Sequence, residues 1–85
     1  MCVQGCDLMA YEFTIERQTR GWIEVRHVRE GHLYRFPIIE GQHVSRKLAD
    51  GPRSDNKDAK RESAFYALQA RVFAEREARK ADLID

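Results

Sequence analysis

With 85 residues the chain is long enough for one domain, and its core must be small. The charged fraction is 34%, but 15 basic side chains stand against 14 acidic ones, so the whole chain carries no field that would draw it onto nucleic acid or an anionic membrane. The longest apolar run, Ala64 to Leu68, is far too short to cross a bilayer, and the start lacks the basic and apolar regions of a signal peptide; a cytoplasmic protein is expected.

Charge is uneven along the chain. Residues 1–16 carry a net of −3 from Asp7, Glu12 and Glu16, whereas residues 17–35 set five arginines against Glu24 and Glu30 for a net of +3. Residues 1–8 hold both cysteines, Cys2 and Cys6, and show neither strand nor helix periodicity. With Met9-Ala10 reading as a second possible start, they are predicted to be a flexible tail or an extended gene start, and residues 9–85 a single α+β domain.

Gly21, Gly31, Gly41 and Gly51 recur every ten residues, each behind a polar residue, a spacing that suits an antiparallel meander. Tyr11, Phe13 and Ile15 alternate with Glu12, Thr14 and Glu16, and Ile23 and Val25 alternate with Glu24 and Arg26, as half-buried strands do. A three-residue loop Thr19-Arg20-Gly21, with glycine at a position of positive φ, pairs Phe13 with His27 and Ile15 with Val25. A two-residue loop Glu30-Gly31 pairs Val25 with Phe36, Ile23 with Ile38 and His27 with Tyr34. The inner face then holds Tyr11, Phe13, Ile15, Ile23, Val25, Tyr34, Phe36 and Ile38. Residues 42–48 are an optional fourth strand, since Pro37 cannot donate to a ladder and prefers an edge or a strand end.

Ala49 to Asn56 is the densest cluster of turn formers and leads into one long helix, Lys57 to Lys80, which has no Gly or Pro. Asp55 is the predicted N-cap, and Arg79 and Lys80 suit the C-terminal end of the macrodipole. Phe65, Leu68, Val72 and Phe73 are predicted to pack on the inner sheet face. A helix of that length runs ~36 Å against ~24 Å for the strands. Its end is therefore predicted to overhang the sheet with Ala74, Ala78 and Ala81, followed by Leu83 and Ile84, through which a second copy would dimerise.

Cys2, Cys6, His27 and His32 have the order of a two-cysteine, two-histidine zinc site, but 20 residues separate the pairs and no helix carries the histidines. No metal or cofactor is expected. There is no nucleophile in a glycine elbow, no phosphate-cradling glycine loop and no paired carboxylates in a dry cleft, so no enzyme and no catalytic residues are predicted.

The outer sheet face is predicted to show Trp22, Arg26, Leu33 and Arg35, with Arg26 directly opposite Arg35. Facing like charges are unfavourable unless an anionic group joins them, and Trp and Arg are enriched at binding hot spots. These four residues are the first candidate for docking a protein partner.

The segment Asn56-Lys57-Asp58-Ala59-Lys60-Arg61-Glu62-Ser63-Ala64 resembles, in Lys57, Ala59, Lys60 and Ala64, the basic motif that opens the last helix of double-stranded-RNA-binding domains. Asn56 stands where that motif has its first lysine. The resemblance implies a nucleic-acid-binding alternative through Lys57 and Lys60, to which Arg61 and, from the preceding segment, Arg46, Lys47 and Arg53 would add their charge. Three strands before a helix are also similar to phage integrase arm-binding domains. In size and lone-domain build the chain resembles small accessory proteins of phages and mobile elements, anti-CRISPR inhibitors among them. The resulting expectation is a non-enzymatic protein acting stoichiometrically on a macromolecular partner. A protein partner is preferred to nucleic acid, no membrane is expected, and a structural homodimer is a further alternative.

Overall fold

The side chain of Thr19 closes the first turn of the sheet. Its hydroxyl accepts hydrogen bonds from the Gly21 and Trp22 N–H groups at 3.1 Å each, and its own N–H donates to the Trp22 carbonyl at 2.8 Å. The computed structural model describes residues 12–41 and 45–85. The predicted tail 1–8, Tyr11 and residues 42–44 of the optional fourth strand lie outside them. On either side of the turn run β1 (Phe13–Gln18) and β2 (Trp22–His27), with Phe13 opposite His27 and Ile15 opposite Val25, as predicted.

The extra residue is absorbed in an unexpected place. The register shifts between Ile15 and Arg17, so that Gln18 pairs with Ile23 and the tip reduces to Arg20 and Gly21. Gly21 does not adopt the expected positive φ; Gly31, at 78°, is the glycine that uses the left-handed region.

Strand β3 (Leu33–Glu40) pairs with β2 two residues away from the predicted register, with Val25 opposite Tyr34 and Ile23 opposite Phe36. A two-residue turn at Glu30-Gly31 would place a glutamate at positive φ. Instead the His27 N–H donates to the His32 carbonyl and the Gly31 N–H to the His27 carbonyl, leaving residues 28–31 as the loop. A slip of two keeps every side chain on its face. Phe13, Ile23, Val25, Tyr34 and Phe36 are accordingly buried, with Ile15 and Ile38 packed against them. The slip does change neighbours: Arg26 stands opposite Leu33 and Arg35 opposite Glu24, so the predicted Arg26–Arg35 facing is not made.

Strands β4 (Arg46–Leu48) and β5 (Arg53–Ser54) both line the far edge of β3, with Ile38 opposite Leu48 and Leu33 opposite Ser54. The gap between them faces Pro37. Successive N–H groups of β3 point alternately to β2 (Ile38 to Gly21, 2.9 Å) and to the far edge (Arg35 to Pro52, 3.0 Å), so residue 37 would serve the far edge, and proline has no N–H to offer. There the chain swings out at Asp50 and returns through Gly51. A Cβ on Gly51 would overlap the Arg35 carbonyl and lie 2.7 Å from Pro37 Cδ.

Helix α1 spans Ala67–Lys80, preceded by a 3-10 turn at Ser63–Tyr66. The predicted start at Lys57 fails because tertiary bonds claim the backbone of residues 56–61. The Asn56 N–H goes to His32, the Lys60 N–H to Glu30, and the Arg61 carbonyl accepts from His32. Propensity yields to those contacts. Asp55 is not an adjacent N-cap. It caps the 3-10 turn from across the loop, accepting from the Ser63 N–H at 2.8 Å.

Of the four side chains predicted to pack on the sheet, Phe73 does and the other three do not. Ala70, Phe73, Ala74 and Ala78 lie against the sheet, whereas Phe65, Leu68 and Val72 point to solvent. The sheet already supplies bulk from Phe13, Ile23, Val25, Phe36 and Leu48, so an alanine strip lets the helix approach closely. At 14 residues, ~21 Å, α1 has no overhang. After it, Asp82 takes φ 62°, the Asp82 N–H bonds to Arg79 and the Leu83 N–H to Ala78. This is a Schellman turn with aspartate in the usual glycine position, and it folds Ile84 back into the core at 4% exposure. Ile84 is thus part of the monomer's core and does not present the predicted dimer surface.

Candidate functional site

The inner face of the sheet is filled by α1, and among the described residues no element covers its outer face; the shortest dimension, 18 Å, accommodates one sheet and one helix layer. Trp22, Arg26, Leu33 and Arg35 do share that outer face. Arg26 donates to Glu16 at 2.8 Å, which holds the Glu16 carboxyl below its ordinary range. Arg35 lies 4.0 Å over the Trp22 ring and 3.7 Å from Glu24. Both arginines thus have carboxylate partners within the chain, and the reason for expecting an anionic group between them is gone.

The basic set of the nucleic-acid alternative is dispersed. Arg46 is engaged by the C-terminal turn, its N–H donating to Asp85 at 2.8 Å and its guanidinium to the Asp82 carbonyl at 3.1 Å. Lys47 and Arg53 lie on separate edge strands. Lys57, Lys60 and Arg61 are in turns before the helix, so they do not form a helix N-terminus facing phosphate.

A polar cluster lies under the start of α1. His27 and His32 are both buried, and the Tyr66 ring stacks on His27 at 4.0 Å. His32 accepts the Asn56 N–H at Nδ1 (3.0 Å), which leaves Nε2–H to donate to the Arg61 carbonyl (2.7 Å). Tyr34 donates to the Ser63 carbonyl at 2.6 Å, and burial pushes its hydroxyl up to about 12. The Ser63 hydroxyl donates to Asp55 at 2.6 Å. Glu30 accepts from the Lys60 N–H and the Tyr66 hydroxyl, and the first of these bonds leads in keeping its carboxyl below the ordinary range. Imidazole, hydroxyl and carboxylate meet here, but the arrangement differs from a nucleophile–base pair: both His32 nitrogens serve backbone groups, and Ser63 is buried with its hydroxyl donating to the Asp55 carboxylate. The cluster holds residues 55–63 against the β2–β3 loop.

The surface that sequence reasoning missed is the outer row of α1. Leu68, 74% exposed, and Val72, 38%, lie one turn apart on α1, and Phe65, 60% exposed, precedes them in the 3-10 turn. Arg61 lies 4.3 Å over the Phe65 ring. Beside Leu68 a groove of about 330 Å³ separates α1 from the edge strands; Tyr34 and Phe36 contribute to its lining, as do Arg35, Arg53 and Arg71. Arg71 crosses it to Asp50 at 2.8 Å and to the Leu48 carbonyl at 2.8 Å. The signal that finds this row is the competing period: Ala67, Ala70, Ala74 and Ala78 recur over more turns than Phe65, Leu68 and Val72 do, and they lead directly to Leu83 and Ile84. No described helix is long and apolar enough to cross a membrane, and no group of metal-ligating side chains occurs among the described residues. Comparisons of the chain with protein-family models, curated proteins and solved structures returned no match.

Proposed function

We propose that this chain is a non-enzymatic binding protein that acts stoichiometrically on a protein partner, docking through the outer row of α1. The observation that carries the reading is the row itself. Phe65, Leu68 and Val72 are large, apolar and left out of the core on the solvent side, and Leu68 borders a groove. Contiguous exposed apolar surface of this kind marks interaction sites. The outer sheet face, with Arg35 stacked on Trp22 and Leu33 beside Arg26, is a second contact surface of the same protein. The likeness in size and build to small phage and mobile-element accessory proteins, anti-CRISPR inhibitors among them, suggests a host nucleic-acid-handling complex as the partner's setting. Direct nucleic-acid binding has less support, because Arg46 is engaged by Asp85 and residues 57–62 are not helical.

Affinity purification from candidate host lysates with the wild-type chain and with a Leu68→Ser, Val72→Ser variant tests the reading. A partner recovered at a fixed stoichiometry by the wild type and lost from the variant supports it. Recovery of the same proteins by both, or of none at micromolar bait, counts against it.

A further inference from the structure

Residues 57–66 have the composition of a helix and the backbone of a loop. They contain no Gly or Pro, and Ala59, Lys60, Arg61, Glu62 and Ala64 are all strong helix formers. The break nearest α1 is at Glu62, which is extended at φ −72° and ψ 158°. Beyond it Ser63–Tyr66 already coil as a 3-10 turn, joined to α1 by Tyr66 at φ −106° and ψ 7°. A change of ψ at Glu62 and a small adjustment at Tyr66 would make the two pieces one helix.

What keeps them apart is a set of bonds to His32, Glu30 and Asp55. His32 Nδ1 accepts the Asn56 N–H at 3.0 Å, the Glu30 carboxylate accepts the Lys60 N–H at 3.0 Å and the Tyr66 hydroxyl at 3.1 Å, and Asp55 accepts the N–H and hydroxyl of Ser63. Each acceptor is an imidazole nitrogen or a carboxylate oxygen, and each gives up accepting capacity when it takes up a proton. Two further bonds are indifferent to acid: Asn56 Nδ2 donates to the Glu30 carbonyl and Tyr34 to the Ser63 carbonyl. The second is compatible with helix, because a carbonyl has two lone pairs. The other titratable and charged groups facing the cluster are Glu12 ahead of β1, His27 on β2, Tyr34 on β3, Arg53 on β5, and Arg61 and Tyr66 in the segment itself. Burial keeps His27 neutral, and the bonds at issue keep Glu30 and Asp55 charged, so protons favour the arrangement in which these groups are let go.

We propose that residues 55–62 are an acid-released latch on α1: held, they stop the helix at Ala67; let go, residues 59–66 wind onto its N-terminal end as about two further turns. Asp58 then stands at the new N-cap. Residues 55–58 remain to join β5 to the longer helix, a reach of ~13 Å against the ~6 Å by which the helix advances beyond Ser63.

The test is to follow Cα chemical shifts of the isotope-labelled full chain by NMR from pH ~7 to ~4, the range in which imidazoles and carboxylates titrate. The expected result is that residues 59–66 move to helical shifts like those of Ala67–Lys80 while β2 and β3 keep their dispersed amide signals. Glu62→Pro suits the φ of the held form but breaks the longer helix, so in that variant residues 59–61 should no longer acquire helical shifts. Movement of residues 59–66 to random-coil shifts would overturn the latch, since the segment would only fray. Shifts that stay unchanged until the sheet signals collapse would overturn it too, as would a Glu62→Pro chain whose residues 59–61 turn helical like the wild type.

Discussion

Asp55 holds Ser63 with both carboxylate oxygens, one accepting the backbone N–H at 2.8 Å and the other the hydroxyl at 2.6 Å, across eight residues of non-helical chain. These bonds keep the Asp55 carboxyl below its ordinary range, and they satisfy a serine that is itself buried. Removing the carboxylate strands two buried donors, which costs about 1–3 kcal/mol. Asp55→Ala is therefore expected to lower unfolding stability in urea by that amount. Ser63→Ala made in the Asp55→Ala background should add less than it does alone, because the hydroxyl's partner is already gone. Additive losses would show that the two side chains act independently.

Gly51 and Gly21 sit in similar sequence contexts and should respond oppositely to alanine. At Gly51 a Cβ meets the Arg35 carbonyl and Pro37, both parts of the central strand, so the edge segment must move and the β5 pairing with it. At Gly21 the nearest atom is the Thr19 hydroxyl at 3.9 Å, ordinary contact. Gly51→Ala is expected to cost about 1–3 kcal/mol, whereas Gly21→Ala should stay within about 0.5 kcal/mol of wild type. Chemical denaturation of the two variants side by side checks this, and equal losses would refute the close approach at residue 51.

Acid should destabilise the fold in two stages. His27 Nδ1 accepts the Glu30 N–H at 3.1 Å, so the neutral ring carries its proton on Nε2, and a second proton would set N–H against N–H. Burial pushes the imidazole below its ordinary 6.5, only partly opposed by the Glu12 carboxylate 3.6 Å away. Below 6.5 the unfolded chain therefore binds a proton that the folded chain resists, and stability falls with pH until the lower folded value is reached. Glu30 and Asp55, held below their ordinary 4.5 and 3.8, add a second loss at lower pH. Melting temperature should be level from neutrality up to about 10, where an unfolded Tyr34 would begin to ionise, decline below 6.5 and decline faster below 4.5. His27→Phe keeps the aromatic stack on Tyr66 without a titrating group and should shallow the first stage alone. An unchanged first stage would remove His27 as its cause.

The two faces of α1 should behave in the reverse of what side-chain hydrophobicity suggests. Leu68→Ser touches a side chain that is mostly exposed and should leave stability within about 0.5 kcal/mol. Ala74→Leu forces a larger group between helix and sheet, where Ala74 has no exposed surface, and should cost about 1–3 kcal/mol. Alternation in residues 13–38 was enough to assign strands and inner face, because a half-buried strand writes its burial at period two, and the first-hairpin pairing was legible as far as Ile15 but not the bulge that shortens its loop. The second register was not legible, since turn length is set by backbone bonds between His27 and His32 that leave no pattern. The helix face was misread because bulk outranked spacing: small residues make a core when the opposing sheet is large. Hydrogen bonds from His32 and Glu30, distant in sequence, hid the true start of the helix. A stability loss in Leu68→Ser matching that in Ala74→Leu would restore the face that bulk predicts.

The last residues are expected to hold the fold together rather than join two copies. Asp82 reverses the chain in the left-handed region, Leu83 returns a bond to Ala78, and Ile84 enters the core while Asp85 receives the Arg46 N–H and guanidinium. Those contacts fasten the C-terminal end of α1 to β4, as Arg71 does from the middle of the helix through the Leu48 carbonyl. Ile84→Ala removes a buried branched side chain and should cost about 2–5 kcal/mol. For a domain this small, that is a large share of the total. A surface residue at a dimer contact would behave differently: its loss would shift the sedimentation profile from two copies to one and leave a folded monomer. Measured together, unfolding stability should fall with Ile84→Ala while the mass of the folded species stays the same. A change in mass with stability intact would place Ile84 between copies after all. Asp82→Gly relieves the strained φ without touching the core and should raise stability by about 0.5–1 kcal/mol, a gain that depends on the chain turning back at residue 82.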